Sequence, residues 1–248
     1  MSEMSEQGMW RKPPEDFVLS AEAVHLWRVE LNQPSRVSGL MALLTPDEIV
    51  RMERYHHRRD RDGFAVTRGA LRYMLGRYLG VAATDIEIEY GRHGKPYVEN
   101  HCSGTSLQFN ISHSGSLALM GFTLERPIGV DLEKIRAEVD LDGVAAVFLS
   151  PTEAADLGQR SGDDKIDAFY RYWVCKEAYL KVRGTGMTLS SRSFSMSIAD
   201  AFPELVQAPP CDQTPKDWSF SWVNVAPDFR AAIVCGGALP KEYEFYDF

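Results

Sequence analysis

Three carboxylates and a lysine have the spacing to do chemistry together. In the stretch 169–186, Trp173, Glu177 and Lys181 recur at i, i+4 and i+8, so on a helix they lie roughly along one face. Earlier, in the apolar run Ile128–Ile135, a strand period of two sends Asp131 and Glu133 to one side and Val130 and Leu132 to the other. Two like charges on one side of a mostly apolar strand repel each other and resist burial, so they either stand in water or are answered by something positive. A hard divalent cation with oxygen ligands is one such answer, with Glu177 the natural third ligand. A solvated, salt-bridged face is the other. The residues alone leave both open.

The composition narrows what such a site could serve. In a chain of 248 residues, 44% hydrophobic and 25% charged residues read as a soluble globular protein, long enough for one large domain or two packed smaller ones. The formal charge of −8 argues against a general nucleic-acid binder, while leaving room for an acidic partner on a local basic patch. Cys102, Cys175, Cys211 and Cys235 form no CxxC pair and no export leader is evident, so a reducing, cytoplasmic setting is expected. The histidines include no HExxH pair. Neither a G-x-S-x-G elbow nor a GxxxxGK[ST] loop is present, and no apolar run is long enough to span a membrane. Carboxylates for a cation, together with dispersed lysines and arginines, suit a substrate carrying a diphosphate.

The elements that must position these groups can be read in order. Residues 1–20 look like a flexible lead-in containing Pro13 and Pro14, and Val24–Leu31 fits a strand. Thr45-Pro46-Asp47-Glu48 is a helix start with a capping box, and the helix behind it carries Arg51 and Arg54. The segment Arg54–Asp62, crowded with Arg58, Arg59 and Arg61, is either a solvated corner or an anion or docking site. A helix over Gly63–Tyr78 follows, with Val66, Leu71, Met74 and Leu75 as core candidates and Gly80 as its stop. Ile86–Tyr90 reads as a short strand and 91–96 as a turn. Strands at Leu107–Ile111 and Leu117–Leu124 complete this part, with Ser112, His113 and Ser114 delivered at a strand-to-loop corner.

Then the chain echoes itself. Thr45-Pro46-Asp47-Glu48 returns as Ser150-Pro151-Thr152-Glu153, the helix stop Gly80 returns as Gly184, and the two strands return as 219–225 and 231–235, in the same order at offsets of 105, 104 and about 111 residues. The expected fold is α+β: a pseudo-twofold arrangement of two similar α/β subdomains, 21–126 and 127–248, with the active site in the cleft between them.

Four motifs, Gly94-Lys95-Pro96, Phe109-Asn110-Ile111-Ser112-His113-Ser114, Ile128-Gly129-Val130-Asp131-Leu132-Glu133-Lys134 and Trp173 through Lys181, are ordered and spaced as in a 4'-phosphopantetheinyl transferase of the surfactin-synthetase-activating type, which the chain resembles from about Val24 to Cys235. The resemblance implies transfer of 4'-phosphopantetheine from coenzyme A to a serine of an apo acyl or peptidyl carrier protein, with release of adenosine 3',5'-bisphosphate. It implies Mg2+, with Mn2+ as an alternative, on Asp131, Glu133 and Glu177. Arg51, Lys95, Ser112 and His113 fall on coenzyme-binding positions, and Lys181 on that of the lysine beside the diphosphate. Glu177, directly or through water, would take the serine proton, and Lys181 would stabilise the departing phosphate. Carrier contact is expected over Arg136–Phe148, where Val139, Leu141, Val144 and Phe148 are equally compatible with helix packing. A monomer is expected to build the whole cleft. A metal-dependent nucleotide phosphodiesterase or pyrophosphatase, and a non-catalytic coenzyme A-binding module, are the alternatives.

Overall fold

The computed structural model describes residues 10–99, 106–136, 138–199, 201–210 and 217–248. Residues 1–9 of the lead-in, His101, Cys102 and residues 211–216, Cys211 among them, lie outside the described residues. Of the rest of the lead-in, Trp10 donates to Asn224 O at 2.6 Å and Phe17 packs edge-on against Trp27, so the stretch is held to the body.

The elements in chain order are β1 (Ala23–Glu30), α1 (Pro34–Met41), α2 (Pro46–Glu53), α3 (Arg58–Leu79), β2 (Glu89–Tyr90), β3 (Pro96–Tyr97), β4 (Leu107–Ser114), β5 (Leu117–Leu124) and β6 (Ile128–Lys134). They continue with α4 (Leu141–Phe148), α5 (Pro151–Gly158), α6 (Gly162–Arg183), β7 (Ser195–Ser197), β8 (Glu204–Gln207), β9 (Trp218–Trp222), β10 (Phe229–Gly236) and β11 (Glu242–Asp247). Both capping boxes form: Thr45 and Ser150 each accept from the backbone of the third helical residue, whose glutamate reaches back to the cap. The two long helices, α3 and α6, are 22 residues each and stop at Gly80 and Gly184 in the left-handed conformation.

The doubling extends to the sheets. The run β1-β5-β4 of the first sheet is repeated as β6-β10-β9 in the second, antiparallel throughout. Alternation along each strand assigns its faces. Trp27, Val29, Ala118, Met120 and Phe122 meet α3, and Ala232 and Val234 meet α6, whereas Val24, Leu26, Leu119, Val130, Leu132 and Ile233 share a third cluster between the sheets. The result is a layered helix–sheet–sheet–helix body whose halves meet along one apolar seam.

Several elements depart from their expected extents. α3 begins at Arg58, so Arg58, Arg59 and Arg61 form its first turn instead of a corner, with Arg58 paired to Asp62 one turn on at 3.4 Å. Only Glu89–Tyr90 of the expected 86–90 strand is extended, paired across a turn with Pro96–Tyr97. β4 runs on through Ser114, which puts Ser112, His113 and Ser114 in the strand and not at its corner. β11, although it lies in the 127–248 part of the chain, joins the first sheet parallel to β1. There the buried Tyr246 stacks beside Trp27 with ring centroids 4.7 Å apart.

Candidate active site

The continued alternation of β4 lays a polar stripe across the seam between the halves. Asn110 Oδ1 accepts from Val130 N at 2.9 Å, Ser112 Oγ donates to Asp131 Oδ1 at 2.8 Å, and Ser114 Oγ donates to Glu133 Oε2 at 2.7 Å while accepting from Lys134 N at 3.1 Å. One strand of the first half thus orients both carboxylates of β6. Asp131 and Glu133 do share one side, but Asp131, 3% exposed, is not in water.

The compensating charge comes from α6. Lys181 Nζ lies 2.6 Å from Asp131 Oδ1 and donates to Ser112 Oγ at 2.8 Å. α6 comes this close because β6 has no side chain at Gly129, where a Cβ would fall 2.1 Å from Ala178 O. Glu177, half-buried, lines the same cleft. Burial pushes its carboxyl above the ordinary range, the charges of Asp131 and Glu133 add to the rise, and Lys181 opposes it. Glu133 is raised in the same way, by burial first, against the hydrogen bond from Ser114.

Among the described residues, no group of three or more His, Cys, Asp or Glu side chains is gathered closely enough to hold a metal ion. Asp131 is answered by Lys181 and Ser112, and Glu133 by Ser114, so their orientations are set from within the chain. The donor set still suits a hard divalent cation. Its ligands are all oxygen, Asp131 Oδ2 is buried without a hydrogen-bond partner among the described residues, and Asp131 raises both Glu133 and Glu177.

Several cavities open along the cleft, two of which meet at Gly94, Pro96 and Ile111. One, of about 780 Å3, is lined by Lys95, Asn110, Phe148, Trp173, Glu177 and Lys181. The other, of about 430 Å3, is lined by Arg51, Arg59, Arg68, Tyr90 and His113. Arg51 and His113 thus stand towards the basic end of one continuous cleft and Lys95, Glu177 and Lys181 towards the other, while His113 also lines a further opening of about 460 Å3 with Ser114, Glu133 and Arg136. Sequence reasoning left Arg68 and Tyr90 without a role. Arg68 spans from Glu48 (2.5 Å) to the Tyr90 hydroxyl (2.6 Å), which Arg51 also approaches at 3.4 Å. Asn110 and Ser114 were likewise legible only as motif letters, although their period of two with Ser112 was the available signal.

Trp173 stacks on Phe148 at 4.2 Å and 24°, so packing the cleft wall is its visible job. Leu141, Val144 and Phe148 pack against the second-half core, and Val147 is the large apolar side chain that α4 exposes, beside Ala146. Cys175 is fully buried and its thiol is pushed well up, consistent with packing.

A doubled α+β body with paired carboxylates and a lysine on one side of its cleft and arginines and a histidine on the other has the layout of a group-transfer enzyme for an anionic substrate. The profile of the 4'-phosphopantetheinyl transferase superfamily matches residues 127–234, and that of the N-terminal domain of 4'-phosphopantetheinyl transferases matches residues 27–123. The chain belongs to the 4'-phosphopantetheinyl transferase superfamily. It is 37% identical over 244 residues to the 4'-phosphopantetheinyl transferase HetI of a Nostoc species, covering 96% of this chain and 99% of that one. It is 30% identical over 158 residues to the 4'-phosphopantetheinyl transferase Sfp of Bacillus subtilis, covering 64% and 68%. A crystal structure of a holo-(acyl-carrier-protein) synthase from Bacillus anthracis in complex with CoA superposes with a TM-score of 0.38 at 23% identity, over 45% of this chain and 96% of that one.

Proposed function

We propose that this chain transfers the 4'-phosphopantetheine arm of coenzyme A to a serine hydroxyl of an apo acyl or peptidyl carrier protein and releases adenosine 3',5'-bisphosphate. The observation that carries the reading is the match along nearly the whole chain to a 4'-phosphopantetheinyl transferase, joined to a cleft where Glu177 and Lys181 of one helix face Asp131 of β6.

In the reaction, the serine Oγ forms a new bond to the β-phosphorus of coenzyme A while the bond from that phosphorus to the bridging oxygen breaks. Glu177 accepts the serine proton, directly or through water. Its place in the cleft, one turn of α6 before Lys181, supports this role. Lys181 faces the bridging oxygen and stabilises, or protonates, the departing phosphate. Arg51, Ser112 and His113 bind the coenzyme, with Arg51 and His113 in the basic cavity around its nucleotide phosphate. Asp131, Glu133 and Glu177 are the residues that would hold Mg2+ or Mn2+, and the ion would supply charge neutralisation at the diphosphate.

The subtype is the surfactin-synthetase-activating one, a reading supported by 30% identity over 158 residues to the Bacillus subtilis enzyme. The enzyme works as a cytoplasmic monomer. We divide it at 126/127 into halves 21–126 and 127–248, with β11 returning to the first sheet. The test is incubation with coenzyme A, Mg2+ and an apo carrier protein, read by intact-protein mass spectrometry. One phosphopantetheine arm added to the carrier, and none without metal, is expected. Free phosphopantetheine beside an unchanged carrier would replace the reading with the hydrolase, and coenzyme binding without turnover would replace it with the binding module.

A further inference from the structure

Where the two halves agree they share scaffold, so a device built into only one of them points to what that half does. At the repeat offset of 104, Tyr170 of α6 falls on Val66 of α3, and Trp173 falls on Gly69. Gly69 lets α1 lie directly on α3, since a Cβ there would collide with Leu40 O. Trp173 does the opposite. It meets the end of α4 ring against ring, stacked on Phe148 with centroids 4.2 Å apart, and Phe169 backs it at 5.9 Å. The helix before the capping box therefore rests on backbone in the first half and on aromatic rings in the second. Beside these rings lies the opening of about 460 Å3 that reaches Glu133, with Arg136, Val139, Val144 and Tyr170 around it.

A hydroxyl fixes the rim of this opening. The β6–β10 ladder ends with Lys134 opposite Phe229, and Ile135 N still finds Asp228 O at 2.8 Å. The next residue has left the sheet. There the Tyr170 hydroxyl accepts from Arg136 N at 3.0 Å and donates to Arg136 O at 3.3 Å, so one buried side chain satisfies both backbone groups of Arg136. Val66, buried at the corresponding place, has no hydroxyl to offer Asn32, whose N–H donates instead to Glu30 Oε1 at 3.2 Å. Clamp and aromatic wedge both belong to the half that carries the carboxylates.

The proposed reaction has a use for such an opening. In-line displacement at phosphorus puts the entering and leaving oxygens on opposite faces, so a protein hydroxyl needs its own approach to the carboxylates. This opening adjoins the basic cavity at His113 and Gly115, so a group entering here reaches the same cleft as the coenzyme. Its rim offers the exposed Arg136 beside the apolar Val139 and Val144. Two acids of the same segment are engaged within the chain: Asp140 caps α4 through Gly143 N at 3.0 Å, and Asp142 pairs with Lys165 at 2.7 Å.

We infer that Tyr170 is a positioning residue for the protein substrate: by clamping the backbone of Arg136 it holds the rim of this opening in the shape that admits the serine-bearing segment of the carrier protein. The inference rests on the transferase reading for its kinetic consequence, but the clamp itself is independent of that reading.

Tyr170→Phe keeps the ring and removes the clamp. In carrier-loading assays the KM for the apo carrier should rise about fivefold or more, with kcat and the KM for coenzyme A each within about twofold of wild type. Hydrogen exchange, followed by mass spectrometry without any ligand, should become faster in the peptide containing Ile135 and Arg136. A lower melting temperature with an unchanged KM for the carrier would make Tyr170 a packing residue only and overturn the inference. An equal rise in both KM values, or a fall in kcat alone, would overturn it too. A wild-type protein that loads no carrier would sink the transferase reading, whereas the clamp stands or falls on the exchange result.

Arg136→Gln, at an exposed position, covers a Tyr170 variant that does not fold. It should raise the KM for the carrier about threefold or more, and an unchanged value would overturn the inference. In the Tyr170→Phe background the same change should add less than it does alone, since both act on one rim, and full additivity would count equally against it.

Discussion

The two halves contain the same buried device with different cations. Glu48, the capping-box residue of α2, accepts from Arg72 Nε at 2.6 Å and Arg68 Nε at 2.5 Å, and Arg72 goes on to Ala83 O and Ile86 O. Glu153, the capping-box residue of α5, accepts from Lys176 Nζ at 2.7 and 2.9 Å and from Met196 N at 2.7 Å, and Lys176 goes on to Phe194 O. In each half one glutamate closes a short helix, anchors the long one and, through its cation, fixes the chain that follows. The neighbours on the long helix have diverged. Beside Arg72 stands Arg68, whose other arm points through Tyr90 to the basic cavity, and beside Lys176 stands Glu177 in the cleft. The scaffold is held in duplicate, and under the proposed function the chemistry is divided, with anion binding falling to the first half and the carboxylates to the second.

The largest expected effect tests that division. Glu177→Gln keeps the shape and removes the proposed proton acceptor, so kcat should fall by about 10²–10⁴, the range typical for loss of a general base. Tyr73, the corresponding position in α3 at the repeat offset of 104, is exposed, and Tyr73→Phe should leave turnover unchanged. Carrier loading followed by mass spectrometry checks both. Near-wild-type turnover by the Glu177 variant would move the chemistry off this helix.

Next come the buried pairs. Glu153→Gln leaves the Lys176 ammonium, 0% exposed, without its counter-charge, and Glu48→Gln does the same to Arg72. Each should cost about 3–5 kcal/mol in denaturant unfolding, as expected for breaking a buried ion pair from one side. If only one half shows the loss, the two devices are not equivalent.

A smaller effect reverses the sign usual for a mutation. In the folded protein Glu133 and Glu177 hold their protons to higher pH than they do in the unfolded chain. Their contribution is therefore fully present below the ordinary carboxylate value and is lost as pH rises through the raised folded value. Glu177→Gln and Glu133→Gln should melt higher than wild type at neutral pH in chelator-treated buffer, with the advantage fading below about pH 4.5. A lower melting point at pH 7 would mean that these carboxylates are held by favourable contacts instead of being crowded.

How much of this was legible in the sequence follows from the range of each interaction. The capping boxes, the glycine stops and the same-side placement of Asp131 and Glu133 depend on neighbours within a few residues, and they form as read. β11 carries no local sign that it pairs with β1, because a parallel pairing between chain ends is set by tertiary packing. Ser112 and Ser114 read as loop residues by composition, and only the strand opposite explains why hydroxyls stand buried there. The carboxylates could be paired in sequence, but that Lys181 rests on Asp131 is a fact of how α6 meets β6.

The smallest prediction sharpens the first half's share. If its role is to bind and not to react, removing a group from the basic cavity should weaken coenzyme binding and spare kcat. His113→Ala takes away an exposed side chain of that cavity, and Tyr90→Phe removes the hydroxyl at which Arg51 and Arg68 converge. Each should raise the KM for coenzyme A by about three- to tenfold, the loss of one ordinary hydrogen bond of about 1 kcal/mol, with kcat within about twofold of wild type. Tyr90→Phe is the finer probe. Its hydroxyl accepts from the two arginines, so losing it frees guanidinium groups without removing any charge. A fall in kcat at unchanged KM in either variant would place reacting groups on both sides of the cleft, and the division between the halves would no longer hold.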